Sequence, residues 1–290
     1  MAVTTGSESA WQRKAFISVE STSLIKLQYE SMTETIDIDM GERDLDVINL
    51  LNLGQIPKHG AVGICTITFE GYPLQAGTAD TASATVGTPS SGIATGYFDT
   101  FASTQNVDSS SELDIDMSNT LTRYRVAILW TDDPDLAGVV SAVTDGAPPS
   151  ITGASATNLA HAGKMMEITS ETADGSYYMI TTNDATSKYT LTTGDTPDTD
   201  NVDISDTFTI HPTGSGAIDT ASKGLRFVLA DCICTSCKTS MTDGIVKQTL
   251  VFKGRIFSKT GTALSKMESA TASEVLTALG DYTPGTTYWA

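Results

Sequence analysis

Apolar and polar positions alternate with a period of two in one stretch of this chain after another. In ETIDIDM, residues 34–40, Ile36, Ile38 and Met40 share one face of an extended strand while Asp37 and Asp39 share the other. The pentapeptide LDIDM at 113–117 repeats the pattern, with Leu113, Ile115 and Met117 set against Asp114 and Asp116. Residues 24–29, 62–69 and 124–130 alternate in the same way, and each is predicted to be a half-buried strand. The near-identity of the two pentapeptides needs no duplication, because no longer repeat surrounds them. Between them, GERDLDVINLLNLGQIPKHG at 41–60 puts Leu45, Ile48 and Leu51 at helical spacing ahead of Gly54 and Pro57, which predicts a turn or short helix. Residues 76–111 are small and polar and read as a long loop or hairpin arm.

After TDDPD (131–135) and DGAPPS (145–150) the pattern tightens. KMMEITSE, GSYYMITT, SKYTLTT and DTFTIHP follow one another closely, as in a small β domain inserted over 141–222 into a core made of 1–140 and 223–290. Beyond it, KQTLVFKGRIFSK (247–259) sets Leu250, Phe252 and Ile256 on one face and Lys247, Lys253, Arg255 and Lys259 on the other. That is a cationic stripe. ASEVLTALG then offers Ser273 as an N-cap and Gly280 as a stop for a short flanking helix.

Composition agrees with a mainly β protein, since the bias is toward Thr, Ser, Gly, Val and Asp. The formal charge of −18 argues against a protein that grips nucleic-acid phosphates. The first twenty residues lack an apolar h-region and no stretch approaches the roughly 18 apolar residues of a membrane helix, so a soluble chain made in the cytoplasm is expected. The acidity has a local centre: residues 171–207 hold Glu171 and seven aspartates against Lys188 alone.

Four cysteines, at 65, 232, 234 and 237, are too few and too clustered for a disulfide framework. The CxCxxC of Cys232, Cys234 and Cys237, completed by Cys65, is a candidate zinc site, set against buried cysteines serving as small hydrophobes. Asp195, Asp198, Asp200 and Asp203 are candidate calcium ligands, set against a solvated acidic loop, since the order of an EF-hand is missing. His59, His161 and His211 are scattered and no serine stands in a nucleophile elbow. With no phosphate loop or dinucleotide fingerprint either, no enzymatic activity and no cofactor are expected, beyond a structural zinc or calcium ion.

Two blocks carry more than composition. Residues 34–77 read ETIDIDMGERDLDVINLLNLGQIPKHGAVGICTITFEGYPLQAG, and residues 222–262 read SKGLRFVLADCICTSCKTSMTDGIVKQTLVFKGRIFSKTGT. An acidic strand and glycine, a strand ending in an EGY-type turn, and a late TDGI-type turn leading into an FKG-bearing strand resemble the tail tube, or major tail, proteins of long-tailed viruses of bacteria and archaea. The resemblance covers roughly 85 of 290 residues. It implies a β-sandwich with a flanking helix, assembled into stacked hexameric rings around a channel for the genome. Its implied setting is a virion tail, synthesised in the host cytoplasm, with tape measure, tail terminator and baseplate proteins as partners. Double-stranded DNA would pass transiently, and no membrane would be entered. Residues 141–222 then form a β insertion on the tube exterior. On this reading Asp37, Asp39, Asp114 and Asp116 are candidate lumen residues that repel phosphate, while Lys247, Lys253, Arg255 and Lys259 are candidates for an inter-subunit contact. Residues 76–111 become an arm ordered on a neighbouring ring. The competing classes are a β-rich surface-binding, decoration or adhesion protein of a virion, and the tube of a contractile injection or type VI-like secretion system.

Overall fold

The computed structural model describes residues 14–21, 26–29, 31–41, 43–50, 54–73, 93–94, 123–154, 161–170, 177–184, 187–191, 193–218, 222, 224–258 and 263–270. These form seventeen strands and, among the described residues, no helix. In chain order they are β1 (Lys14–Ser21), β2 (Lys26–Tyr29), β3 (Ser31–Asp39), β4 (Arg43–Leu50), β5 (Gly54–Val62), β6 (Ile64–Pro73), β7 (Ile93–Ala94), β8 (Arg123–Thr131) and β9 (Leu136–Thr144). There follow β10 (Ser150–Ala154), β11 (Met165–Ile168), β12 (Tyr177–Asn183), β13 (Lys188–Leu191), β14 (Thr207–His211), β15 (Gly224–Thr242), β16 (Ile245–Arg255) and β17 (Ser265–Ala270).

Nine strands make one sheet in the order β3-β6-β16-β15-β8-β1-β2-β7, with β17 paired to β15 beside that path. The alternation read from sequence sets its faces. Cys65, Ile67 and Phe69 of β6, Tyr124, Val126 and Ile128 of β8, and Leu250 and Phe252 of β16 enter one buried cluster, against which Ile36 and Ile38 of β3 pack. The polar partner of each alternating pair faces the other way. The 19-residue β15 shifts register at Leu229/Cys232 and again at Cys234/Ser236, and such bulges bend a strand and raise its twist. β15 and β16 are joined at Asp243 and Gly244, whose φ values of 54° and 78° suit an Asp-Gly hairpin turn.

The expected turn or short helix after Met40 is instead the hairpin β4–β5, with Leu45 opposite His59 and Ile48 opposite Ile56. Three apolar residues at helical spacing were outweighed by the β-branched pair Val47–Ile48 and by Gly54 at the turn. Pro57 is tolerated because a two-stranded sheet consists only of edges. The second pentapeptide (113–117), the proposed C-terminal helix and most of the 76–111 arm lie outside the described residues; Ile93–Ala94 pairs parallel with β2.

Between β8 and β15, which are hydrogen-bonded neighbours, the chain builds a closed six-stranded barrel in the order β10-β13-β12-β11-β14-β9. The barrel strands run from Leu136 to His211, so the expected boundary at 141 falls inside β9. Ile151, Met166, Tyr178, Ile180, Tyr189 and Phe208 belong to a core separate from that of the sheet. Phe208 fits because β9 and β10 present glycines to it: a Cβ on Gly138 or Gly153 would lie 2.2 or 2.4 Å from its ring.

The barrel is fastened to the sheet at its root. Lys164 Nζ donates to Asp133 Oδ2 at 2.5 Å with both side chains buried, and Ser222 donates to Asp133 Oδ1 at 3.0 Å. The buried Arg226 guanidinium donates to the carbonyls of Gly214 and Gly216. Gly214 lies so close to the sheet that a Cβ there would be 2.3 Å from the Ala127 carbonyl oxygen.

Candidate assembly face

The acid row and the base row, expected to play separate roles, lie on one face of the sheet. β6 is hydrogen-bonded to β3 on one side and to β16 on the other. Asp39, Thr66 and Lys253 fall in one cross-strand row, and Asp37, Thr68 and Val251 in the next. Since Ile36, Ile38, Ile67 and Phe252 point into the core, all six of these residues point away from it. Asp37, Asp39, Lys253 and Arg255 are exposed, and Thr66 and Thr68 are half-buried.

Lys247 forms a 3.0 Å ion pair with Glu70 of β6, whose carboxylate also accepts from Thr249 at 3.1 Å. The Lys247 and Thr249 hydrogen bonds together hold the Glu70 carboxyl below its usual range, against a smaller opposing effect of desolvation. Glu70 was not singled out from sequence, although its position two residues beyond Thr68 in TITFE placed it on this polar face. Lys238 of β15, opposite Thr249, extends the basic side by one strand. Asp114, Asp116 and Lys259 are outside the described residues.

Cys65, Cys232 and Cys234 point to the opposite face, into the core. Cys65 and Cys232 flank Gly254 in one row, both buried, and Cys234 is half-buried beside them. Burial, aided by Asp39, pushes the Cys65 thiol up to about 11, and burial pushes Cys232 well above its ordinary value. Both shifts favour the protonated thiol over the thiolate that zinc requires. The Cys237 side chain is outside the described residues.

The acidic loop uses its carboxylates as local acceptors. Asp200 accepts from the Tyr178 hydroxyl at 3.0 Å and Asp206 from the Asp203 amide at 2.8 Å. Asp195 is buried, whereas Asp198 and Asp203 are exposed. Asp145 pins the loop to the end of β9 by accepting from the amides of Asp198 (2.7 Å) and Thr199 (2.9 Å) and from the Thr199 hydroxyl (2.7 Å). Among the described residues, no group of three His, Cys, Asp or Glu side chains is placed to hold a metal. His161 is buried beside Tyr189, and His211 bridges Asp135 at 3.1 Å and Glu167 at 2.8 Å through its two ring nitrogens. The side chain of His59 is outside the described residues.

No protein-family model matches this chain, and no curated protein matches it.

Proposed function

We propose that this chain is a structural subunit of a tail tube, building stacked rings around a passage for double-stranded DNA. One observation carries the reading. The two blocks that bear the family resemblance, 34–77 and 222–262, are far apart in sequence, yet their strands β3, β6, β16 and β15 are consecutive neighbours in one sheet. The EGY residues, expected as a turn, instead form the last part of β6, paired with β3 and β16, and the TDGI turn joins β15 to β16, so the two motifs sit at the same end of this four-stranded unit. A net charge of −18 suits a conduit that must not bind the phosphate passing through it. The barrel, entering and leaving between β8 and β15, is carried as an ornament on the tube exterior.

Negative-stain electron microscopy of the purified protein across salt and protein concentrations tests this. Rings or tubes with six-fold symmetry and a central hole are expected. Particles that stay monomeric or trimeric at every condition, including after addition of preformed tail-tip complexes as initiators, overturn it in favour of a surface-binding module.

A further inference from the structure

The outer face of the large sheet is treated differently along its width. Over β1, β8 and the start of β15 it is sealed, with Ser18, Ala127, Arg226 and Val228 buried and the return segment 212–218 lying against them. Over β3, β6 and β16 no segment among the described residues covers it. There Asp37 and Lys253 are exposed and make no hydrogen bond or ion pair among the described residues. Unneutralised charge of both signs therefore stands on one continuous surface.

The spacing decides what this surface fits. One strand separates the acids from the bases, which puts their backbones about 10 Å apart. The half-buried Thr66 and Thr68 fill the gap. Each sign is thus complementary to another molecule rather than to its neighbour, and a second copy of the same face supplies both signs in the right order. A two-fold axis along β6 lays the acid row of each copy over the base row of the other, with Asp39 over Lys253 because they share a row. Apolar surface adjoins the charges: Ile64, opposite Arg255, is 56% exposed, and Phe257, two residues past Arg255, is 42% exposed.

We propose that the β3–β6–β16 face is a self-complementary contact that binds the same face of a second copy of this chain. This takes Asp37 and Asp39 out of any channel wall, because a lumen lined by Lys253 and Arg255 alongside them would hold passing phosphates. It does not rest on the tube reading. Pairing is measurable in solution whether or not rings form, and rings seen without this pairing would leave the tube reading standing.

Sedimentation velocity on the full chain tests the contact with two charge-reversed variants, Asp37→Lys/Asp39→Lys and Lys253→Glu/Arg255→Glu. All four side chains are exposed, so the fold is expected to survive, as circular dichroism would verify. Asp39→Lys also removes an acceptor for the Gly41 amide, so Asp37→Lys alone serves as a milder version. The wild type is expected to associate, more weakly at ~500 mM salt than at ~50 mM. Each variant alone is expected to raise the apparent Kd about tenfold or more, and an equimolar mixture to restore association. A wild type that stays monomeric throughout, a variant that associates as well as the wild type, or a mixture that fails to recover overturns the proposal.

Discussion

The barrel and the large sheet bury comparable sets of aromatic and branched side chains but obtain them differently. The barrel draws its core from one continuous stretch of chain and closes on itself, so every strand has two neighbours and no edge is left. The sheet gathers β1, β3, β6, β8, β15 and β16 from both sides of the insertion and, among the described residues, has β3 at an edge and a charged, uncovered outer face over β3, β6 and β16. The two-signed face is where the contact proposed above would form, and every candidate assembly residue that the structure describes lies on the sheet.

Barrel and sheet are joined at a root, and their independence is weakest there. Lys164→Met leaves the Asp133 carboxylate buried without its cation, which is expected to cost about 3–5 kcal/mol in denaturant unfolding. Adding Asp133→Leu should recover most of that loss, because an apolar pair of similar volume replaces a buried ion pair at little cost. If Lys164→Met unfolds at the wild-type midpoint, the ion pair does not couple barrel to sheet. A smaller effect, confined to one body, comes from Gly153→Ala. Its new methyl meets the Phe208 ring and is expected to cost about 1–3 kcal/mol, with hydrogen-exchange protection falling over 136–211 while β6, β8 and β16 keep theirs. Loss of protection in both bodies would mean that they unfold as one unit.

Much of this division was legible in the sequence. TITFE declared both its existence and its buried face, and the cluster of short strands after residue 131 announced a further β unit. YRVAILW declared a strand but not its burial: instead of the half-buried strand its alternation predicts, β8 is buried on both faces, because Arg125, Ala127 and Leu129 are covered as well as Tyr124, Val126 and Ile128. Register was not legible. Nothing in IDIDM or KQTLVFKGR says that β6 will stand between them, so the acid and base stripes could be found but not placed on one surface. The hairpin β4–β5 was misread because eight residues cannot separate a helical period from a strand when Leu45 and Ile48 fit the former and Val47–Ile48 favour the latter. Asp145 was missed for a different reason: its partners, the amides of Asp198 and Thr199, are 53 and 54 positions away and carry no side-chain signature.

Asp145 also gives the mildest test of how self-contained the barrel is. Its slight burial works against ionisation, but the Thr199 hydroxyl and the two amides outweigh that and hold its carboxyl below the usual aspartate range. A depressed folded pKa means stability that is present above the ordinary value of 3.8 and lost as the pH falls through the lower, folded one. Asp145→Asn removes the charge at every pH. It should lower the Tm by about 2 °C or less at neutral pH, since the group is largely solvated, and the gap should close in acid. A gap that persisted unchanged well below the ordinary aspartate pKa would mean that the acidic loop is held by contacts other than this carboxylate. A barrel whose end depends only on its own loop should show the same small gap whether the sheet face is paired with a second copy or kept apart at high salt.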